Sequence, residues 1–190
     1  MKFSINLVIL PGLLFLSNPV LSEETNSAQN PWSVSLLVGS SDVQLADASI
    51  ASQSLITSGI EVGYNFNQNL GLKFGSQAGV NFGRVTSAIF GSLFNIEIED
   101  YSYHRYYFAA TAQTEGDVHL FGSLGFARLN EEITITNSSV NFDTNSTEPY
   151  WEIGVGWNMS EHFGVGLSYS DTDAKLAKIS TTQFKFKFEF

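Results

Sequence analysis

From Trp32 to Phe190 most of the chain repeats one pattern: large apolar residues at every second position, with small or polar residues between them. Trp32, Val34, Leu36 and Val38 alternate with Ser33, Ser35, Leu37 and Gly39. Ile60, Val62 and Tyr64 alternate with Gly59, Glu61, Gly63 and Asn65. The same alternation runs through Leu70–Phe82, Arg105–Gln113, Val118–Phe126, Trp151–Asn158 and Phe163–Ser170, and it ends in "TTQFKFKFEF". A period of two puts successive side chains on opposite faces of a β-strand. The pattern predicts eight strands, and no segment carries helical periodicity.

The connections alternate as well. "NFNQN", "TEGD" and "NMSEH" read as hairpin turns, rich in Asn, Gly, Asp and Ser. The links after the first, third, fifth and seventh strands read as longer and more polar. Short turns then gather at one end with both termini, and long loops at the other. Centring the first turn on Asn67 predicts the pairs Glu61–Lys73, Val62–Leu72 and Gly63–Gly71, each joining residues of the same face.

One face is apolar throughout; the other decides the environment. It is dominated by Gly63, Gly71, Gly75, Gly79, Gly125, Gly154, Gly156, Gly164 and Gly166. Glycine weakens a strand and is kept where space is tight. The interior of an eight-stranded barrel is only just wide enough for side chains. The glycine face therefore belongs inside, with a few charges, and the apolar face outside. So much continuous apolar surface would aggregate in water, so the outside is lipid. Trp32, Tyr64, Phe66, Trp151, Trp157, Phe163 and Tyr169, near strand ends, suit two interfacial girdles. The fold class expected is all-β: an eight-stranded antiparallel up-and-down transmembrane β-barrel.

The stretch "GIEVGYNFNQNLGLKFG", the hairpin "WEIGVGWNMSEHFGVGLSYS" and the terminal "FKFKFEF" resemble the small outer-membrane β-barrel proteins of Gram-negative bacteria, akin to the transmembrane domain of OmpA and to OmpX. The resemblance spans residues 31–190. It implies that the terminal alternation, Phe184, Phe186, Phe188 and Phe190, is read by the barrel-assembly machinery after delivery by periplasmic chaperones. Lipid and lipopolysaccharide are the implied surroundings, and a monomer the expected state. The chain departs from the OmpA pattern in ending at Phe190, so no following peptidoglycan-binding domain is expected.

The N-terminus fits export. Lys2 precedes the mostly apolar Ile5–Leu16, and small residues lead to expected cleavage after Ser22. The organisation expected is a cleaved signal peptide at 1–22, a polar leader at 23–30 and the barrel at 31–190. Composition sharpens this picture. Nine Lys+Arg against nineteen Asp+Glu argue against nucleic-acid binding. The absence of Cys excludes disulfides, thiolate metal sites and an acylated N-terminal cysteine.

Glu61, Lys73, Arg105, Glu152 and Lys185 share the inward parity and form the expected lumen network, with Gln77, Gln113, Gln183, Lys187 and Glu189. Buried charges must pair. They read either as a polar plug or as a gated narrow channel in which Glu61–Lys73 and Arg105–Glu152 exchange partners. The plug is favoured because side chains consume the interior. A lipid-modifying enzyme would need His, Ser and a carboxylate within reach of one another. Only three histidines occur, no His-x-Ser pair is present, and only His104 lies at the long-loop end. No catalytic residue, metal site or cofactor is expected. Phe90, Leu93 and Phe94 are too apolar for a freely solvated loop and, with His104, are candidates for surface contact. "EEITITNSSV" reads as a strand extension above the bilayer. The expected role is non-catalytic, structural or surface-interactive; a lipid A-modifying enzyme and a narrow channel are the alternatives.

Overall fold

The computed structural model describes residues 31–45, 52–81, 100–135 and 140–190. The expected signal peptide, the leader, and Phe90, Leu93 and Phe94 lie outside the described residues. All regular structure described is β: β1 (Trp32–Leu45), β2 (Gln53–Asn65), β3 (Leu70–Asn81), β4 (Asp100–Gln113), β5 (Val118–Ile135), β6 (Val140–Asn158), β7 (Phe163–Asp173) and β8 (Ala177–Glu189). Each strand pairs antiparallel with its sequence neighbour, and β1 pairs with β8 to close the barrel. Closure matters physically, because a spanning sheet with a free edge would leave backbone N–H and C=O groups unpaired in hydrocarbon.

The facial parity follows the alternation. Leu36, Ile60, Phe74, Phe108, Leu124, Phe126, Ile153 and Phe184 are exposed on the outside, Leu124 at 72%. Their neighbours in sequence point inward and are buried or half-buried. Aromatic contacts mark both rims of the apolar belt. Trp32, Tyr64 and Phe66 meet edge to face at 4.8 and 5.6 Å, and Phe163 meets Phe188 at 5.2 Å, at the short-turn end. Trp151 and Tyr169 meet at 5.6 Å at the opposite rim.

The register of β2 against β3 differs from expectation. Glu61 faces Gly75, Gly63 faces Lys73 and Asn65 faces Gly71. The turn is centred one residue later than Asn67, because the Asn67 side-chain oxygen accepts from the backbone N–H groups of Asn69 and Leu70 and so fixes a tight Asx-type turn there. A shift of two in pairing preserves every side chain's face. The link after the seventh strand is also short: β7 and β8 run past the belt and leave only 174–176 between them. The strands β5 and β6 rise well above the belt, as read from "EEITITNSSV".

Candidate functional site

The lumen is filled because adjacent strands complement each other in size. On β3 the inward residues are Lys73, Gly75, Gln77 and Gly79; opposite them on β4 stand Ala109, Tyr107, Arg105 and Tyr103. A Cβ at Gly75 would lie 2.6 Å from Cε1 of Tyr107, and one at Gly79 would lie 2.8 Å from Cζ of Tyr103. Only glycine lets these two rings lie flat across the lumen.

Beneath the rings sits a four-charge cluster. Glu61 accepts from Lys73 at 3.2 Å, from Lys185 at 3.1 Å and from the Tyr107 hydroxyl at 2.7 Å. Glu152 pairs with Lys73 and, at 2.8 Å, with Lys185. Two carboxylates and two ammoniums thus balance in a ring contributed by four different strands, β2, β3, β6 and β8. The ring continues through amides: Gln183 donates to Glu152 at 3.1 Å, Gln77 donates to Gln183 at 2.8 Å, and Arg105 donates to Gln77. Arg105, fully buried, also donates to Thr172 at 3.2 Å and Ser170 at 3.3 Å. Its guanidinium lies 5.2 Å from the centre of the Tyr150 ring, which stacks on Tyr107 at 4.6 Å. Aromatic faces attract a desolvated cation, which helps hold a charge that has no carboxylate in ion-pair range among the described residues.

The five residues expected in the lumen are therefore together, with one correction. The Arg105–Glu152 pair that the gated-channel alternative invokes is not formed: Glu152 is saturated by Lys73, Lys185 and Gln183, while Arg105 lies nearer the long-loop end, among neutral acceptors. The interior also holds more than glycines and charges. Toward the long-loop end Val43, Leu55, Leu129 and Ile179 pack with Tyr101 and Tyr103 as a buried apolar layer, while Leu37 lies beside Lys185 at the level of the ring. Tyr101 donates to Glu131 at 2.9 Å, and Ser41 bonds both Tyr103 and Thr181. Parity alone could have assigned these residues inward, but it could not rank them as a continuous cap. At the opposite mouth a cavity of about 80 Å³, lined by Ser35, His119, Phe121 and Lys187 among others, reaches Glu61, Lys73 and Lys185. The terminal Phe184, Phe186, Phe188 and Phe190 are all exposed outside, while Lys185 between them is buried.

His104 is not a loop residue. It lies within β4 on the outer wall, and its Nε2 is 2.9 Å from the Ser76 hydroxyl of β3. Tyr106 lies against the imidazole at 4.4 Å. The pair is not visible as a His-x-Ser spacing because it forms between strands, where pairing brings together residues 28 apart in sequence.

A family model described as outer membrane protein beta-barrel domain matches residues 8–190. No curated protein matches the sequence. Among solved structures, the chain is similar to Ail, the attachment invasion locus protein of Yersinia pestis, at 15% identity and a TM-score of 0.61, covering 85% of this chain and 99% of that one. It is similar also to Neisserial surface protein A, at 11% identity and a TM-score of 0.65, covering 84% of this chain and 97% of that one. A further match is Ail in complex with the heparin analogue sucrose octasulfate, with a TM-score of 0.59 at 15% identity, covering 84% of this chain and 97% of that one. Identities this low speak for the fold, whereas the family match extends over nearly the whole sequence. The chain belongs to the outer membrane protein β-barrel domain family.

Proposed function

We propose that the protein is a plugged outer-membrane scaffold that acts through its outer surface, supporting the membrane and presenting its long-loop end to partners, rather than through its lumen. The observation that carries this reading is the double closure of the interior. A charge-balanced ring of Glu61, Glu152, Lys73 and Lys185 is topped by Arg105 and the apolar layer of Val43, Leu55, Leu129 and Ile179. A conducting path would have to break several buried ion pairs and open a packed core, both costly.

In this reading residues 1–22 direct export and are removed after Ser22, the Phe184–Phe190 alternation is recognised during assembly, and the folded chain works as a monomer among lipopolysaccharide. Outer-membrane barrels set short turns toward the periplasm and long loops outward. The outward end carries Asp42, Glu132, Asp143, Glu148, Asp171 and Asp173, against Arg128, Lys175 and Lys178 among the described residues. That balance favours cationic partners, or phosphates bridged by divalent cations, over a sulfated polyanion of the kind bound to Ail.

Planar-bilayer recordings of the wild type and of Lys73→Ala test the plug. Silence in both is the expected result. Discrete openings in the wild type, altered by the substitution, would replace the plug with a gated channel. Replacing the long loops tests the surface role, since binding that survives replacement is not carried by them.

A further inference from the structure

The outer wall carries one arrangement that a scaffold does not need. Ser76 of β3 and His104 of β4 both face outward, are half-buried, and share a hydrogen bond of 2.9 Å between Oγ and Nε2. Nearer the long-loop end, the Ser54 and Ser180 hydroxyls bond instead to carboxylates of the neighbouring strand. Below the pair, Phe74 and Phe108 belong to the exposed apolar belt. Above it the wall turns polar: Asn130 stands directly opposite His104, and Arg128 opposite Tyr106, which in turn pairs with Ser76. A groove of about 400 Å³ adjoins the imidazole, lined among the described residues by Val80, Ser102, Asn130 and Asp143. The pair thus sits at the boundary between hydrocarbon and headgroups, the depth at which the acyl-ester bonds of membrane lipids lie.

We propose that Ser76 and His104 form a nucleophile–base pair that hydrolyses long-chain acyl esters of outer-leaflet lipids approaching along the barrel wall. A serine hydroxyl is a weak nucleophile until a base in hydrogen-bond reach takes its proton. Here Ser76 Oγ attacks the ester carbonyl carbon while His104 Nε2 accepts the hydroxyl proton. The bond from the carbonyl carbon to the lipid oxygen breaks, and that oxygen leaves with the proton held by His104. Water then adds to the acyl-Ser76 ester, giving its proton to His104. The fatty acid departs and Ser76 regains its hydrogen. Asn130, the directly opposed neighbour, is the positioning residue available to accept from Nδ1, a role an amide fills in some Cys-His enzymes. Arg128, on the rung of Ser76, lies within side-chain reach of a lipid phosphate. The proposal adds an activity to the scaffold role and does not rest on it.

The test uses the full mature chain, refolded into vesicles, with Ser76→Ala and His104→Ala beside it. A long-chain alkyl fluorophosphonate is the covalent probe, and peptide mass spectrometry locates the adduct. Fatty acid release is measured from phosphatidylethanolamine vesicles and from lipopolysaccharide-containing vesicles in parallel. Shifted migration of unheated samples on gels reports that each variant forms its barrel. The expected result is an adduct on Ser76 in the wild type, slowed by about 10²–10⁴-fold in His104→Ala, together with fatty acid from one vesicle type that both substitutions abolish. The vesicle type that responds identifies the lipid. A folded wild type with no Ser76 adduct, an adduct indifferent to His104, or no fatty acid from either vesicle type overturns the proposal.

Discussion

Removing the Glu152 carboxylate isolates the contribution of the lumen ring. Glu152 is fully buried and serves Lys73, Lys185 and Gln183 together. In Glu152→Ala both ammoniums must share Glu61, at 3.2 and 3.1 Å, and two positive charges face one negative. Arg105 already contributes a further buried cation without a carboxylate partner among the described residues. Breaking a buried pair by deleting one partner costs about 3–5 kcal/mol, mostly the penalty of the charge left behind. Adding Lys73→Met restores the balance, leaving Glu61 with Lys185, and should recover part of the loss. A coupling of about 0.5–3 kcal/mol is expected from the double-mutant cycle. Urea unfolding in lipid vesicles measures both, read by tryptophan emission: Trp32, Trp151 and Trp157 all lie on the lipid-facing parity and report departure from the bilayer. A loss below about 1 kcal/mol, the worth of an exposed pair, with no recovery in the double variant, would refute the view that this ring locks the barrel.

Two further substitutions test the packing and the environment. Gly75→Val drives a side chain into the Tyr107 ring, which cannot retreat because it stacks on Tyr150 and donates to Glu61. Overpacking of this kind costs about 1–3 kcal/mol, to be seen in the same urea titration; an unchanged midpoint would mean the ring has room to move. Leu124→Lys places a charge on the outward belt directly opposite Trp151 at its rim, where the cost falls between about 0–1 kcal/mol at the interface and about 2–4 kcal/mol at the midplane. Leu124→Phe should be nearly neutral in the same vesicles, and equal stability of the two variants would contradict lipid contact at this position.

The alternation of apolar and small residues was enough to determine the strands, their number, the face of each side chain and the inside-out character of the barrel. These follow from a period of two and from the size of the glycine face, both local properties of the chain. It also placed Glu61, Lys73, Arg105, Glu152 and Lys185 inside together. Parity does not say how far along the barrel axis each side chain lies, so the partners of each charge were not legible. Register decided them. One residue's shift at the Asn67 turn changed which positions of β2 and β3 face each other, and Arg105 came to rest among Gln77, Ser170 and Thr172 instead of beside Glu152. Strand ends were equally hidden, because strands continue above the belt where the apolar signal stops, leaving three residues between β7 and β8. The Ser76–His104 pair belongs to the same class of fact. Each residue is ordinary in its own strand, and only the pairing of β3 with β4 brings the hydroxyl within hydrogen-bond reach of the imidazole. A strand's own sequence fixes which way its side chains point, but the offset between strands is settled by turns and by the packing of the closed barrel.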